Sequence, residues 1–548
     1  MRRFLVLFSL IIIAASIGGW IWWSMSGDRV IEAAFNGRSL PYVNKYVSIH
    51  RSIDPEHRTL EYFLRNGRPV LPRLFGLIIV VQILFLVALR YGTSTIKNFF
   101  SEVSHPINLA IFRVVLFSAV LFYCDIPQVI QFSGFPSALR VAPFGLGWLL
   151  TIVPINPAWA LALSCIFILA CVSGLVGFFS RTSAGVAAVL GLYVLGVPQF
   201  FGKIDHYHHL LWFLAILAAA PCGDALSLDS LLGARKNKNV APLQPSSLYA
   251  IPLRFVMLLL GIIYFFAGAW KFIIGGIGWA TTDTMKDMLY AQWFRLGWMP
   301  LFRIDQHPLL CTAAGLGVMF FELTFIFFVF FPSTRKAAAV GGLLFHLAIY
   351  LFAHINFWSL AVCYVAFVDF VLLFRRLPNA NFRFGIFGSH QEIADRQLQI
   401  VNRKSKPVII IGGMLLVINV LCGITLVDSW PFAVYPTFAG VEEKYLQSLS
   451  VILDNPDGTR SEIVPYEDRA LQTVFHPSRM IGLFTQVLWA QDSVEVHRRG
   501  MALLHLLKEN DPRFRQASSM RLYEDICSVI PEESEKNPVR RKLLLSLP

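Results

Sequence analysis

Residues 250–274 read AIPLRFVMLLLGIIYFFAGAWKFII, and this stretch decides the class of the fold. It carries only two charges, Arg254 and Lys271, over the length that an α-helix needs to cross the hydrocarbon core of a bilayer. Similar runs recur along the chain, which is 56% hydrophobic and only 15% charged. Because a soluble protein carries about a quarter charged residues, the sequence predicts an all-α polytopic integral membrane protein.

The hydrophobic runs predict about eleven transmembrane helices, of which about nine form a core. The expected spans are residues 4–24, 74–91, 107–124, 158–179, 184–202, 208–224, 250–274, 309–331, 337–354, 358–375 and 407–427. No small-residue cleavage site follows the first run, so we interpret it as a retained span. We divide the chain into an N-terminal transmembrane hairpin around a fifty-residue outer loop (1–98), a transmembrane core (99–427) and a small extramembrane domain (428–548).

The C-terminal domain is expected to be α+β. Two β-prone runs, 445–453 and 460–464, flank the turn-forming sequence Asp454-Asn455-Pro456-Asp457-Gly458, which predicts a β-hairpin. Three further segments carry expectations: helical spacing at 478–507, a helix or a third strand at 520–529, and a solvated basic tail at 540–542.

Short loops rich in Lys and Arg set the expected orientation. Loops of one parity contain Arg181, then Arg235, Lys236 and Lys238, then Arg335 and Lys336, then the basic run 375–406. Because such loops stay on the cytoplasmic side, we expect a cytoplasmic N-terminus and a C-terminal domain on the outer face. The net charge of +13 then reflects loops that meet anionic lipid, and no nucleic-acid partner is expected.

A polar cluster stands at the start of the predicted span 208–224, because residues 203–209 read KIDHYHH and the apolar helix 210–220 follows. The loop charges put His206 at the outer boundary, at the depth of Lys271 on the next span. Burial among apolar side chains disfavours an ammonium, so Lys271 fits the role of a neutral-amine base. Alternatively, its alkyl chain extends along the helix so that the ammonium reaches the membrane interface. The histidines fit interfacial groups solvated by water or a functional site. No second ligand set completes a metal centre, so no metal is expected.

Three further polar residues lie inside predicted spans: Arg113, Glu322 and His346. They are expected to face the interior of the bundle, because exposure of such groups to lipid is costly. Glu322 and His346 fall on neighbouring spans near mid-membrane. They fit either of two roles: structural pairing with each other or with Arg113, or part of a site or a proton path.

Several segments resemble vitamin K-dependent gamma-carboxylases. The matching segments are Ala110-Ile111-Phe112-Arg113 with Asp125-Ile126-Pro127-Gln128, His206 with Ser227-Leu228-Asp229, residues 264–271 (YFFAGAWK), and Phe345-His346 after Thr334-Arg335. Together they cover about residues 100–375, the region known as the HTTM (horizontally transferred transmembrane) domain.

The resemblance implies a base and a quinol pocket. In that family the lysine at the position of Lys271 deprotonates vitamin K hydroquinone, and the histidine at the position of His206 assists the reaction with oxygen. The product is basic enough to remove a γ-proton from a peptide Glu, which takes up carbon dioxide in a lyase reaction. By the same resemblance we expect Tyr264, Trp270 and His346 to contact reduced vitamin K or a menaquinol-like quinol, with a peptide or protein as the coupled substrate.

The chain departs from the carboxylases in three places. Residues 1–98 have no counterpart, the tail is too short to match the lumenal portion that grips a propeptide, and Trp270 stands where the carboxylase has a second lysine. We therefore expect an enzyme that epoxidises a lipid quinol, with an unknown coupled substrate. The alternative is a non-catalytic HTTM-domain protein that acts in binding, assembly or export. A transporter with a proton path through Glu322 and His346 is disfavoured, because no inverted repeat is evident.

Overall fold

The computed structural model describes all residues except 1, 42, 45–46, 49–50, 52–57, 144–151, 203, 237–243, 376–394, 428, 434–439, 441–443, 466–467, 476, 489, 491 and 548. The described residues form helices up to residue 425 and a mixed helix–strand domain after it. The helices are α1 Arg2–Phe35, α2 Leu60–Gly67, α3 Val70–Tyr91, α4 Thr93–Ser101, α5 Pro106–Tyr123, α6 Ile126–Ser133, α7 Pro157–Val176, α8 Ser180–Val194, α9 His209–Ala219, α10 Leu228–Lys236, α11 Ser247–Gly275, α12 Gly278–Thr281, α13 Thr284–Leu296, α14 Pro308–Val329, α15 Pro332–Ala353, α16 Trp358–Ala361, α17 Phe370–Arg375, α18 Asp395–Thr425, α19 Arg469–Val474, α20 Pro477–Leu488, α21 Ser493–Asn510 and α22 Pro512–Gln516. The strands are β1 Tyr445–Asp454, β2 Arg460–Ile463, β3 Ser519–Ser528 and β4 Arg540–Leu547. The features predicted at Lys203, at Lys238 and over 376–394 of the basic loop fall outside the described residues.

Local sequence sets the helix ends. At the start of α7 the Asn156 side chain accepts a hydrogen bond from the Trp159 amide, and Pro157 occupies the first turn. The same helix ends at Gly177, whose φ of 74° is the left-handed conformation that glycine adopts without strain. Caps and prolines therefore fix helix boundaries that a hydropathy pattern cannot locate.

Nine helices among the described residues are long and apolar enough to cross a membrane, and the chain is a multi-pass membrane protein. They are Arg3–Phe35, Leu60–Arg90, Pro106–Tyr123, Pro157–Val176, Ser180–Phe200, Ser247–Gly275, Pro308–Val329, Pro332–Ala353 and Ser405–Thr425. The sequence predicts about eleven spans, and nine of them correspond to helices of spanning length in this part of the chain. The predicted spans 208–224 and 358–375 form only the short apolar helices His209–Ala219 and Trp358–Phe367.

The length of α9 accounts for part of this difference. Its 11 residues rise about 16 Å, roughly half of the hydrocarbon thickness. The helix ends at Ala219, although apolar character continues to Cys222. The predicted core of about nine spans therefore contains seven long helices and two short ones within the described residues.

The N-terminal hairpin is taller than predicted. Helix α1 runs 34 residues to Phe35, and the second span begins at Leu60, so the connection is far shorter than the expected fifty residues. The Trp23 indole donates to the Arg68 carbonyl at 2.8 Å and ties the second span to α1. The hairpin packs on the core, where Arg73 Nη1 donates to the Ile274 carbonyl at 2.8 Å.

Helix α11 is the centre of the core and is buried over most of its length. It packs against α14, α18 and α3. Near its first turns Arg254 binds the Glu102 carboxylate, which also pairs with Arg335 at 2.9 Å. The Phe99 ring lies 5.2 Å from the Arg254 guanidinium and 5.3 Å from that of Arg335. This cluster joins α4, α11 and α15 at the end of α11 opposite to Lys271.

The C-terminal domain is an antiparallel four-stranded sheet of order β2-β1-β3-β4, with α20 against β1 and α21 against β4. The predicted hairpin is confirmed, because Asp454 pairs with Arg460 across the turn. The segment predicted as helix or strand is strand β3. The basic tail is strand β4, in which Arg540 and Lys542 are exposed as predicted. Arg541 differs, because it pairs with Asp525 at 2.7 Å, and this carboxylate holds it in the sheet.

The same domain contacts one end of the transmembrane core. The Gln131 amide donates to the Val474 carbonyl at 3.1 Å, and Arg303 Nη2 lies 3.1 Å from Glu532. In the outer part of the domain Arg513 donates two hydrogen bonds to Asp468 and lowers the pKa of that carboxyl. The contact at Arg303 brings the domain next to Ile304, which lines the cavity described below.

Candidate functional site

A cavity of about 450 Å³ lies between α11, α14 and α15, with α12 and α13 closing it at one end. Its wall is almost entirely aliphatic and aromatic. The ionisable side chains in the wall are Tyr264, Lys271, Glu322 and His346, and Gln292 adds an amide. Small-molecule sites have this character, a mostly apolar pocket of a few hundred cubic ångströms with a few fixed polar groups.

Lys271 and Glu322 form an ion pair in this wall. The Lys271 ammonium lies 2.6 Å from Oε1 and 2.7 Å from Oε2 of Glu322, and both residues are 4% exposed. Lys271 Nζ also lies 5.2 Å from the centre of the Trp279 ring. Lys271 therefore does not snorkel to an interface. Its buried charge is balanced by a carboxylate from the neighbouring helix.

Two glycines of α11 make that pairing possible. A Cβ on Gly268 would lie 2.8 Å from the Glu322 Cβ, and one on Gly261 would lie 2.9 Å from a side-chain carbon of Ile326. Small residues let two membrane helices approach closely. Gly268 precedes Lys271 by three residues and therefore shares its face of the helix. The close approach of α14 at Gly268 sets Glu322 beside the Lys271 side chain.

A second polar group is a hydrogen-bonded chain of three side chains, of which Tyr264 and His346 belong to the wall. The Tyr364 hydroxyl donates to the Tyr264 hydroxyl at 2.9 Å, and the Tyr264 oxygen lies 2.7 Å from His346 Nε2. With its oxygen accepting from Tyr364, Tyr264 has its own proton left for His346 Nε2. A neutral imidazole then carries its proton on Nδ1, an assignment made from the hydrogen bonds.

His346 Nδ1 is buried and has no hydrogen-bond partner within the described ranges. A buried donor without an acceptor is costly, and in a cavity wall it points to a ligand oxygen. Aromatic rings stand next to it: Phe321 and Phe345 stack with their centres 4.6 Å apart, and Phe321 lies 5.3 Å from Tyr264. This wall fits a flat ring that carries an oxygen.

His206 lies behind the cavity wall. Its ring is 5.2 Å from the Phe357 ring, and the His346 ring is 5.8 Å from the same phenyl group. The Ser359 hydroxyl donates to the His206 carbonyl at 2.7 Å and fixes the backbone there. Phe357 belongs to the wall and His206 does not, so Phe357 separates His206 from the cavity.

Trp270 lies on another side of α11. Its indole donates to the Gly423 carbonyl at 2.7 Å and packs beside Val420 and Cys422 of α18. Of the five side chains expected at the site, the structure thus gathers Lys271, Tyr264 and His346 around one cavity. It places His206 behind the Phe357 ring, outside the cavity wall, and Trp270 against α18.

The pairing considered for Glu322, His346 and Arg113 does not occur. Arg113 donates to the carbonyls of Cys222 and Leu226 and holds the turn after α9. Sequence reasoning missed Glu322 as the partner of Lys271. The available signal was charge balance, because a cation and an acid buried in neighbouring spans need each other.

The remaining members of the histidine cluster are buried in the core. His209 Nε2 lies 2.8 Å from the Ser359 carbonyl, and the His208 ring packs 4.9 Å from Trp212. In the part of the chain that the structure describes, no group of three or more His, Cys, Asp or Glu side chains is arranged to hold a metal ion.

Comparison with known proteins gives one match. The family model of the HTTM domain matches residues 101–375, half of the chain, and includes Lys271, Glu322, Tyr264, His346 and His206. No curated protein and no solved structure matches. The matched segment contains the whole cavity wall.

Proposed function

Because this chain belongs to the HTTM domain family, which is associated with vitamin K-dependent carboxylase-type membrane proteins, we propose that its cavity binds a lipid quinol and that the Lys271–Glu322 pair takes up a proton from it. The observation that carries the proposal is this buried ion pair in the wall of an otherwise apolar cavity. Charged groups inside a membrane are expensive and mark functional sites by default.

The pair acts as one proton acceptor. Lys271 is a base only when its amine is neutral, and Glu322 can hold the proton that the ammonium gives up. A proton from the quinol hydroxyl then restores the ammonium while Glu322 keeps its own proton, and the ammonium offsets the charge of the new quinol anion. Lys271 is the base in this proposal, and Glu322 sets its charge.

Other residues in and behind the cavity wall orient the quinol ring. His346 Nδ1 donates to the second quinol oxygen, Tyr264 and Tyr364 fix the imidazole tautomer, and Phe321 and Phe345 pack against the ring. With oxygen the overall reaction is quinol plus O₂ to quinone epoxide plus water, which balances all atoms. His206 assists the oxygen step once the Phe357 ring turns aside. The coupled peptide or protein substrate has no assigned site.

The membrane orientation belongs to the same proposal. The basic loops support a cytoplasmic N-terminus and a C-terminal domain on the outer face. A non-catalytic role in binding, assembly or export is the second candidate, and one observation favours it. Lys271 and Glu322 satisfy each other fully, as two groups in a structural ion pair would.

The test is oxidation of reduced vitamin K by the purified full-length protein in lipid vesicles. We expect protein-dependent and oxygen-dependent formation of the 2,3-epoxide, with one molecule of epoxide formed for each oxygen consumed. Vesicles without protein and incubations with the oxidised quinone, which has no hydroxyl proton to lose, are the controls. Binding of the quinol without any epoxide would leave the non-catalytic candidate, and neither binding nor epoxide would exclude both quinol roles.

A further inference from the structure

The cavity reaches the outer surface of the helix bundle between α14 and α15. Several of its wall residues at that edge are exposed: Leu344 is 60% exposed, and Gly317 and Ala348 are exposed as well. Gly317 is the tenth of 22 residues in α14, and Gly341 is the tenth of 22 in α15. Both helices are candidate spans, so this edge faces the hydrocarbon near mid-membrane and not the water at either side.

Two glycines keep this edge open without being needed for packing. A Cβ on Gly317 would meet nothing within 4 Å, and one on Gly341 would find only Phe321, at 3.9 Å. Neighbouring glycines differ, because a Cβ would lie 2.9 Å from the Ala280 Cβ at Gly315 and 1.9 Å from the Tyr364 hydroxyl at Gly342. A helix glycine costs about 1 kcal/mol relative to alanine. At Gly317 and Gly341 the missing side chain does not allow a closer contact between helices. It leaves free space at the edge of the cavity.

The free space is bordered by residues without polar side chains. Its borders are Gly317, Gly341, Leu344 and Ala348, which offer no hydrogen bond from a side chain. A water-soluble substrate would have to cross hydrocarbon to use this opening, whereas an apolar chain lies there at no such cost. The polar groups that hold a ring, the Lys271–Glu322 pair and His346, belong to the same cavity.

We infer that the cavity takes a lipid whose ring lies inside and whose long apolar chain leaves between α14 and α15 over Gly317 and Gly341. The identity of the ring as a quinol rests on the proposed function. The route of the chain rests on the two glycines and the exposed edge. The ligand class is therefore a ring that carries a long apolar chain, and the same ring without a chain lacks part of its binding contact.

The test replaces each glycine by leucine, whose Cβ would meet nothing within 4 Å at Gly317 and only Phe321 at Gly341. We expect Gly341→Leu and Gly317→Leu to raise the KM for reduced phylloquinone about tenfold or more, the loss expected when about two methylene groups lose their contact. The same variants should raise the KM for menadiol, the ring without a chain, much less, so that the ratio of the phylloquinol KM to the menadiol KM rises about fivefold or more. Gly341→Ala should lie between them.

Gly413→Leu is the matched control. Gly413 lies on α18, also has nothing within 4 Å of an added Cβ, and is not part of the cavity wall. Gly413→Leu should leave the KM unchanged for both phylloquinol and menadiol. Equal losses for phylloquinol and menadiol, or no loss for either, would overturn the inferred route.

A binding readout separates this inference from the proposed function. Radiolabelled phylloquinone and menadione are bound to the detergent-solubilised variants without any turnover. If the protein binds phylloquinone but forms no epoxide, the proposed enzyme fails, while weaker phylloquinone binding by Gly341→Leu still supports the chain route. If the protein binds no phylloquinone, or if Gly341→Leu binds it as well as before, the chain route is wrong.

Discussion

Replacing one member of the Lys271–Glu322 pair is expected to destabilise the protein by about 3–5 kcal/mol, because the other charge is left buried and unpaired. Lys271→Met and Glu322→Leu should each do so, since both side chains are buried in the same apolar wall. The double variant Lys271→Met/Glu322→Leu should recover most of the loss, because two apolar side chains of similar length fill the same volume. The measurement is thermal unfolding of the four proteins in one detergent.

Activity should follow a different pattern from stability. All three variants lack the base or its charge partner, so epoxide formation should fall about 10²- to 10⁴-fold in each, including the well-folded double variant. Lys286→Met is the control, because Lys286 pairs with the exposed Asp283 and such surface pairs contribute at most about 1 kcal/mol. Additive losses of stability in the double variant would contradict the ion pair, and a double variant with full activity would contradict the base.

His346→Leu is expected to lower kcat/KM for the quinol about 10- to 100-fold, the range for a lost hydrogen bond to a charged partner. The reason is the buried Nδ1, which has no acceptor among the described residues and is free for the quinol oxygen. His346→Asn should restore part of the activity, because its amide group can place a donor near the position of Nδ1. The measurement is the initial rate of epoxide formation over a range of quinol concentrations.

Tyr364→Phe is the comparison variant for the hydrogen-bonded chain. It removes only the far end of the chain, the donor to Tyr264 at 2.9 Å, and leaves the His346 contact with Tyr264 in place. We expect a loss below about tenfold, since a hydrogen bond between uncharged groups contributes about 1 kcal/mol. Equal losses for Tyr364→Phe and His346→Leu would mean that the chain acts only as a structural link.

The membrane class and most spans could be predicted from the sequence, because long apolar runs such as 250–274 have no other stable fold. The two short helices could not. His209–Ala219 and Trp358–Phe367 are apolar like the longer helices, and only their ends, set by turns and packing in three dimensions, show that they are short. The same limit applies to Arg541, whose partners Asp525 and Glu462 come from other strands of the sheet.

The candidate site was predicted in part. Lys271, Tyr264 and His346 lie on the sides of their helices that face one another, and resemblance to a family was enough to choose them. Trp270 is the immediate neighbour of Lys271 and points to α18, because successive helix residues differ by about 100° in direction. Glu322 was recognised as a buried acid, but its pairing with Lys271 depends on the close approach of α14 at Gly268. Such a contact requires the packed structure.

The most direct measurement of the central claim is an experimental structure of the protein with phylloquinone bound in a lipid environment. We expect density for the ring in the cavity, with one oxygen near the Lys271–Glu322 pair, the other within hydrogen-bond distance of His346 Nδ1, and the chain between Gly317 and Gly341. A ring bound elsewhere, or a cavity filled by a phospholipid chain in the presence of excess quinone, would contradict the account.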